Sequence, residues 1–228
     1  MAEAAVQRPS LRGRFITFEG GEGSGKSTQI RKLAERLDTA KLRVIVTREP
    51  GGSPGAEIIR HLVLSGMGKL LGPEAETLLF AAARDDHGRP SSLPALNQGI
   101  WVLCDRFFDS TRAYQGQLGQ VSPELVNAMQ RVTIGDLKPD LTFILDVPVE
   151  VGLQRAAARR GNATADRFEA EGIKFHQDLR DAYRRIAAED PERCVLIDAT
   201  PDPDTVTATI WAALREHLRA TLTADSPA

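Results

Sequence analysis

Cysteine, histidine, net charge and long apolar runs are all scarce in this chain, and each shortage removes a class of protein. Only Cys104 and Cys194 occur among 228 residues. Two thiols in separate apolar stretches make neither a disulfide framework nor a metal-ligand set, so both read as small buried hydrophobes in a reducing compartment. The four histidines, His61, His87, His176 and His217, show no ligand spacing. They are expected to be surface or helix residues without chemistry. A net charge of −2 gives no field that would gather nucleic acid or an anionic membrane. No apolar run approaches the roughly 18 residues that a membrane span requires. Residues 1–13 lack the apolar centre of a signal peptide and are expected to form a disordered extension, with 221–228 an equally loose tail. The expectation is a soluble, cytoplasmic protein with neither nucleic acid nor membrane as partner.

What remains is an alternation of short apolar runs and longer amphipathic ones. Phe15–Phe18, Arg43–Thr47, Ile100–Cys104, Leu141–Asp146 and Cys194–Ile197 carry strand character. They are largely unbroken rather than alternating, as strands covered on both faces are. Helical patterns occupy 26–40, 55–64, 73–86, 122–135, 148–160, 170–190 and 203–220. Strands separated by helices predict an α/β fold, a doubly wound five-stranded parallel sheet flanked by helices. The chain has no repeats and no linker composition. A single domain over 14–220 is therefore expected, with a mobile flap at about 154–168 around Gly161-Asn-Ala-Thr-Ala165.

Between the first strand and the first helix lies Gly20-Gly21-Glu22-Gly23-Ser24-Gly25-Lys26-Ser27-Thr28, which fits the phosphate-binding loop G-x-x-x-x-G-K-[ST]. Four fixed positions recur by chance in about one chain of this length per hundred, and the flanking strand and helix lower that further. Glycines let successive N–H groups turn inward onto phosphate oxygens, and the helix N-terminus adds positive potential. Lys26 then reaches the outer phosphates and Ser27 ligates Mg²⁺. The pattern reads as a nucleoside triphosphate site.

Ligands of such sheets bind beyond the carboxyl ends of the strands. The second strand ends in Thr47-Arg48-Glu49-Pro50-Gly51-Gly52, where Arg48 either grips a phosphate or simply closes a turn. The third ends in Asp105-Arg106. Asp105 is placed to support the metal, and Arg106 either holds a second phosphate bidentately or makes an ordinary ion pair.

These segments, with Phe80-Ala-Ala-Ala-Arg84, Ser110-Thr-Arg-Ala-Tyr-Gln-Gly116, Pro139-Asp-Leu-Thr142 and Ile197-Asp-Ala-Thr200, resemble bacterial thymidylate kinase from about Gly13 to about Ala220. The resemblance implies a nucleotide kinase that moves the γ-phosphate of ATP to dTMP with Mg²⁺, gives dTDP for dTTP synthesis, and works as a homodimer. It implies that Phe80 stacks on the thymine and Arg84 bonds the base. Ser110 and Thr111 lie near the base edge, Tyr114 lies against the sugar, and Gln115 is a further polar contact. Arg48 and Arg106 surround the acceptor phosphate, and Glu22 helps orient the acceptor or the metal. Asp198, Ala199 and Thr200 hold the adenine. With no arginine in the phosphate loop, the flap is expected to supply the missing charge from among Arg155, Arg159, Arg160 and Arg167. Arg155 and Arg159, one turn apart, are the leading pair and their ranking stays open. Two other readings remain: a kinase for another pyrimidine acceptor, and a phosphate-loop switch acting through a partner protein. The second lacks a guanine-reading Asn-Lys-x-Asp sequence.

Overall fold

An apolar run with no polar alternation must satisfy its backbone on both edges and its side chains on both faces, and the first strand does both. In the computed structural model, which describes residues 12–135 and 137–224 and side chains as far as Leu218, all five residues of β1 (Phe15–Glu19) are buried. Ordered along the chain, β1 is followed by α1 (Lys26–Thr39), β2 (Val44–Arg48), α2 (Pro54–Leu64), α3 (Pro73–His87) and α4 (Leu93–Asn97). Then come β3 (Trp101–Asp105), α5 (Phe108–Thr111), α6 (Pro123–Ile134), β4 (Leu141–Asp146), α7 (Val149–Arg160), α8 (Ile173–Glu189), β5 (Cys194–Asp198) and α9 (Pro203–Ala224). The strands form one parallel sheet in the order β2-β3-β1-β4-β5, so the expected fold class is the observed one.

Side chains alternate across this sheet. Ile16 and Phe18 of β1, with Leu103, Phe143 and Leu145, pack on Ile30, Leu33 and Leu37 of α1 and on Val206, Ile210 and Leu214 of α9. Phe15 points the other way, with Val102 and Cys104, onto Leu96, Phe107, Phe108 and Ile134. Beside it Ile144 and Cys194 meet Leu179, Tyr183 and Ile186. Both cysteines are free, buried thiols on strands, as their apolar settings predicted.

Coverage of both faces holds for the three central strands and fails at the edges. Val46 on β2 is 55% exposed and Leu196 on β5 is 44% exposed, because each edge strand has only one neighbour and incomplete helical cover. The short elements were also missed. Met67–Leu71 is a 3₁₀ turn, while Gly88–Ser92 and Arg112–Leu118 are wide, π-type turns, a geometry with no apolar period to read in sequence. The helix α9 runs on to Ala224, past the 220 boundary expected for the tail. The calls on residues 1–11 and 225–228 lie outside the described residues. Among the described residues no helix is long and apolar enough to cross a membrane.

Parallel strands bring all their carboxyl ends to one edge, and each of the five ends in a charged residue: Glu19, Arg48, Asp105, Asp146 and Asp198. That edge carries the site.

Candidate active site

The loop after β1 is shaped by close backbone approaches. Gly23 has φ +64°, and a Cβ there would lie 1.9 Å from the carbonyl oxygen of Gly152 on α7. Gly20 has φ +134°, and its Cβ would lie 2.5 Å from the carbonyl oxygen of Leu145. Only glycine fits either place. The loop delivers α1 with its N-terminus toward the cleft and with Lys26 buried at its first turn. Lys26 Nζ donates to the carbonyls of Gly20 (3.0 Å) and Gly21 (2.9 Å). Burial, and then the neighbouring Arg106, pull its pKa down to about 8. Ser27 Oγ donates to Asp105 Oδ2 at 2.8 Å, bringing two hard oxygen ligands together across the sheet edge. Among the described residues no group of three or more His, Cys, Asp or Glu side chains is set to hold a metal. A two-oxygen pair suits Mg²⁺, which keeps waters and shares substrate phosphates instead of needing a full protein cage.

Arg106 sits beside the loop in the left-handed region, φ +67°, a costly place for a side chain with a Cβ. Its surroundings over-determine it. Nη1 donates to Gly20 O (3.1 Å), Tyr183 Oη (3.0 Å) and Ser110 Oγ (3.3 Å), and Nη2 donates to Glu22 Oε1 at 2.8 Å. Burial would raise the Glu22 carboxyl, but Arg106, Lys26 and Arg159 outweigh it and hold its pKa low. Behind Arg106 lies Glu19, fully buried, accepting from Phe107 N (2.7 Å), Ser110 Oγ (2.6 Å) and Tyr183 Oη (3.1 Å). Burial, and then Asp109, push its pKa up to about 7.

One cleft of about 400 Å³ joins Gly23–Thr28 and Asp105 to Arg48, Arg106, Phe80, Arg84, Ser110, Thr111, Tyr114 and Gln115. The helix α3 presents Phe80 and Arg84 one turn apart. The wide turn after α5 presents Tyr114 and Gln115. The guanidinium of Arg106 lies 5.2 Å from the Tyr114 ring centre. The flap closes this end. Phe168 stands 6.5 Å from the Phe80 ring and 5.0 Å from that of Tyr114, and Arg167 is paired with Glu76 of α3.

The comparisons agree with one another. The thymidylate kinase family model matches residues 18–210. The chain is 76% identical over 218 residues to a thymidylate kinase of Bradyrhizobium diazoefficiens, covering 96% of each. It is also 76% identical over 226 residues to that of Nitrobacter winogradskyi, covering 99% of this chain and 97% of that one. The crystal structure of a thymidylate kinase from Ehrlichia chaffeensis aligns with TM-score 0.72 and 32% identity, over 89% of this chain and 99% of that one. The chain belongs to the thymidylate kinase family.

Within this kinase the predicted residues divide into groups. Glu22–Thr28 of the phosphate loop, Arg48, Arg106, Asp105 and the Phe80–Gln115 set meet in the cleft, while Gly20 and Gly21 lie behind it. Ser110 and Thr111 line it with their hydroxyls already engaged, Ser110 on Glu19 and Thr111 as acceptor from Arg84 at 3.0 Å. Asp198 ends β5 and Ala199 and Thr200 follow it on the same sheet edge, in a turn closed by Thr200 N on Asp198 Oδ1 at 2.9 Å. The flap arginines separate. Arg155 donates to the carbonyls of Ala199 (2.8 Å) and Thr200 (3.0 Å), so it supports that turn and does not line the cleft. Arg160 pairs with Glu169 and Arg167 with Glu76. Arg159 lines the cleft.

Glu19, Glu49, Arg60, Phe168 and Tyr183 were missed as site residues. Glu19 had a readable signal, an acidic residue closing an apolar strand; Glu49, one residue past the end of β2, had none. His87 and His176 are helix residues as expected, but both are buried, 1% and 5% exposed, which spacing alone does not reveal.

Proposed function

We propose that the chain transfers the γ-phosphoryl group of ATP to the phosphate of dTMP, releasing ADP and dTDP and so feeding dTTP synthesis. The observation that carries this reading is the single cleft in which a phosphate loop and an aromatic–arginine pocket face each other across Arg106. An oxygen of the acceptor phosphate attacks the γ-phosphorus while the bond to the β–γ bridging oxygen breaks. That acceptor is already anionic, so positioning and charge neutralisation do the work without a strong base.

Gly20–Thr28 cradle the ATP phosphates, and Asp198, Ala199 and Thr200 hold the adenine with Arg155 bracing their carbonyls. Lys26 and Arg159 neutralise the transferring group. Arg48 and Arg106 align the acceptor phosphate, and Glu22 fixes Arg106. Phe80 stacks on the base. Arg84 spends Nε and Nη2 on Glu49, Phe107 and Thr111; among the described residues Nη1 makes no hydrogen bond, which leaves it to reach a carbonyl of the base. Tyr114 and Gln115 lie along the sugar side. Ser27 and Asp105 would hold Mg²⁺, which supplies Lewis-acid charge at the phosphates when bound.

Homodimerisation belongs to the same proposal. Ile58 on α2, Leu78 on α3 and Val132 on α6 are exposed apolar side chains, and α3 packs against both α2 and α6, which supports an apolar face on these three helices. A second copy would cover it. We place the enzyme in the cytoplasm, where two buried free thiols stay reduced.

The test is ADP release from ATP–Mg²⁺ with dTMP, dUMP, dCMP, dGMP, thymidine or no acceptor. Turnover led by dTMP is expected. Release indifferent to every acceptor would leave a regulatory nucleotide hydrolase instead, and preference for another monophosphate would reassign the Phe80–Gln115 pocket.

A further inference from the structure

The histidine read as idle in the sequence is wired into the base-reading end of the cleft. We propose that His87 is a positioning residue for base selection, holding the Glu49 carboxylate that in turn holds Arg84. The inference rests on the reading of Arg84 as the group that meets the base.

Glu49 directly follows β2 and is 5% exposed. Both its oxygens are used: Oε2 accepts from Arg84 Nε at 2.7 Å, and Oε1 accepts from His87 Nδ1 at 3.0 Å. On the far side of the ring, His87 Nε2 lies 2.6 Å from Thr47 Oγ1. Facing a carboxylate, Nδ1 must carry a proton, and Nε2 pairs with the Thr47 hydroxyl on the other side of the ring. Arg84 and His87 are three residues apart on α3, so one helical face presents both to the end of β2. The ring is also clamped from outside. A Cβ on Gly52 would lie 2.6 Å from His87 Cδ2 and 2.8 Å from Thr47 Oγ1, so the backbone after β2 lies directly against it.

An arginine gripping a carboxylate through Nε alone leaves that carboxylate free to rotate about the contact. A second donor at a fixed angle sets its plane, and the plane of the guanidinium with it. Arg84 Nη2 adds bonds to Phe107 O (3.2 Å) and Thr111 Oγ1 (3.0 Å), so Nη1 ends with one allowed direction. A rigid N–H donor rewards a carbonyl at the pyrimidine 4-position and penalises an amino group there, because a donor facing a donor is left unpaired. His87 thus acts on the choice of base while touching neither substrate.

The experiment compares wild type with His87→Ala, His87→Asn, His87→Gln and Arg84→Met. Each is assayed with dTMP and with 5-methyl-dCMP, which keep the same sugar, phosphate and 5-methyl group and differ in the 4-substituent and the N3 hydrogen that goes with it, and each is checked by thermal melting. The His87→Ala change is expected to raise KM for dTMP about tenfold and to lower the dTMP preference similarly, with kcat and KM for ATP within about twofold. Asparagine, whose amide nitrogen falls near Nδ1, should restore both; glutamine, reaching toward Thr47, should not. This asparagine–glutamine contrast carries the test even where His87→Ala fails to fold. Equal behaviour of those two, unchanged KM for dTMP, or KM for ATP and kcat falling in step with it would overturn the proposal. If Arg84→Met abolishes the preference and the His87 variants keep it, His87 alone loses its role. If Arg84→Met keeps the preference, the base-reading role of Arg84 falls, and this inference with it.

Discussion

The donor loop and the acceptor pocket open into the same cleft but are held in shape by different means. Around Lys26 the contacts are mainly main-chain ones: carbonyls of Gly20 and Gly21, with the Ser24 hydroxyl at 3.4 Å, and glycines at 20 and 23 pressed against the backbone of Leu145 and Gly152. Around Arg84 and Arg106 most contacts are with side chains: apart from the carbonyls of Phe107 and Gly20, each arginine is tied to a carboxylate and to hydroxyls, most of them far away in sequence. A loop that binds the same phosphates in every nucleotide can be built from backbone, which has no side-chain freedom to lose. A pocket that chooses one base needs guanidinium groups at fixed angles, and buried partners supply the angles.

The sharpest way to break the contrast is to remove the one side chain on which the donor loop depends. The Lys26→Ala variant should lose about 10²- to 10³-fold in kcat, since a charge aimed at the transferring group is gone. Its melting temperature should hold, because the variant buries no unpaired ammonium. Turnover near wild type would show that the main-chain cradle suffices and would erase the role given to Lys26.

The acceptor side is sharpened by Glu19, which underlies the Ser110–Tyr183–Arg106 group. Its folded pKa of about 7 lies above the ordinary 4.5, so the folded state holds the proton more tightly. The stability this contributes is complete below pH 4.5, declines as pH rises and is spent above about 7. The Glu19→Gln variant lacks that decline, so its stability relative to wild type should improve by up to about 3 kcal/mol between pH 5 and 8. Parallel melting curves of the two proteins across that range would contradict the assignment.

The smallest effect is expected at the far end of the donor side. The Arg155→Ala variant removes two hydrogen bonds to the Ala199 and Thr200 carbonyls, and should raise KM for ATP about fivefold with kcat nearly unchanged. A large loss of kcat with KM for ATP intact would return Arg155 to the transferring phosphate.

Much of the fold was legible because its signals are local. Apolar runs such as Leu141–Asp146 leave few alternatives to a buried parallel strand, and the loop after β1 is a contiguous pattern. Edge exposure at Val46 and Leu196 was not legible, since strand order depends on contacts between distant segments. The wide turn at Arg112–Leu118 carries Tyr114 and Gln115 without any hydrophobic period, so their place came only through resemblance. Glu49 and His87 look ordinary in sequence; Glu49 lies 35 residues from Arg84 and 38 from His87 along the chain.

By itself the sequence determined the sheet, the phosphate loop and the nucleotide chemistry, because each is written in neighbouring residues whose spacing is a physical requirement. Only the tertiary structure decided which partners each flap arginine meets. It put Arg155 on the turn after β5, Arg159 in the cleft and Arg167 on α3, although all three lie within thirteen residues of one flap. Long cationic side chains reach many partners, and the choice among them follows from where distant carboxylates and carbonyls come to lie.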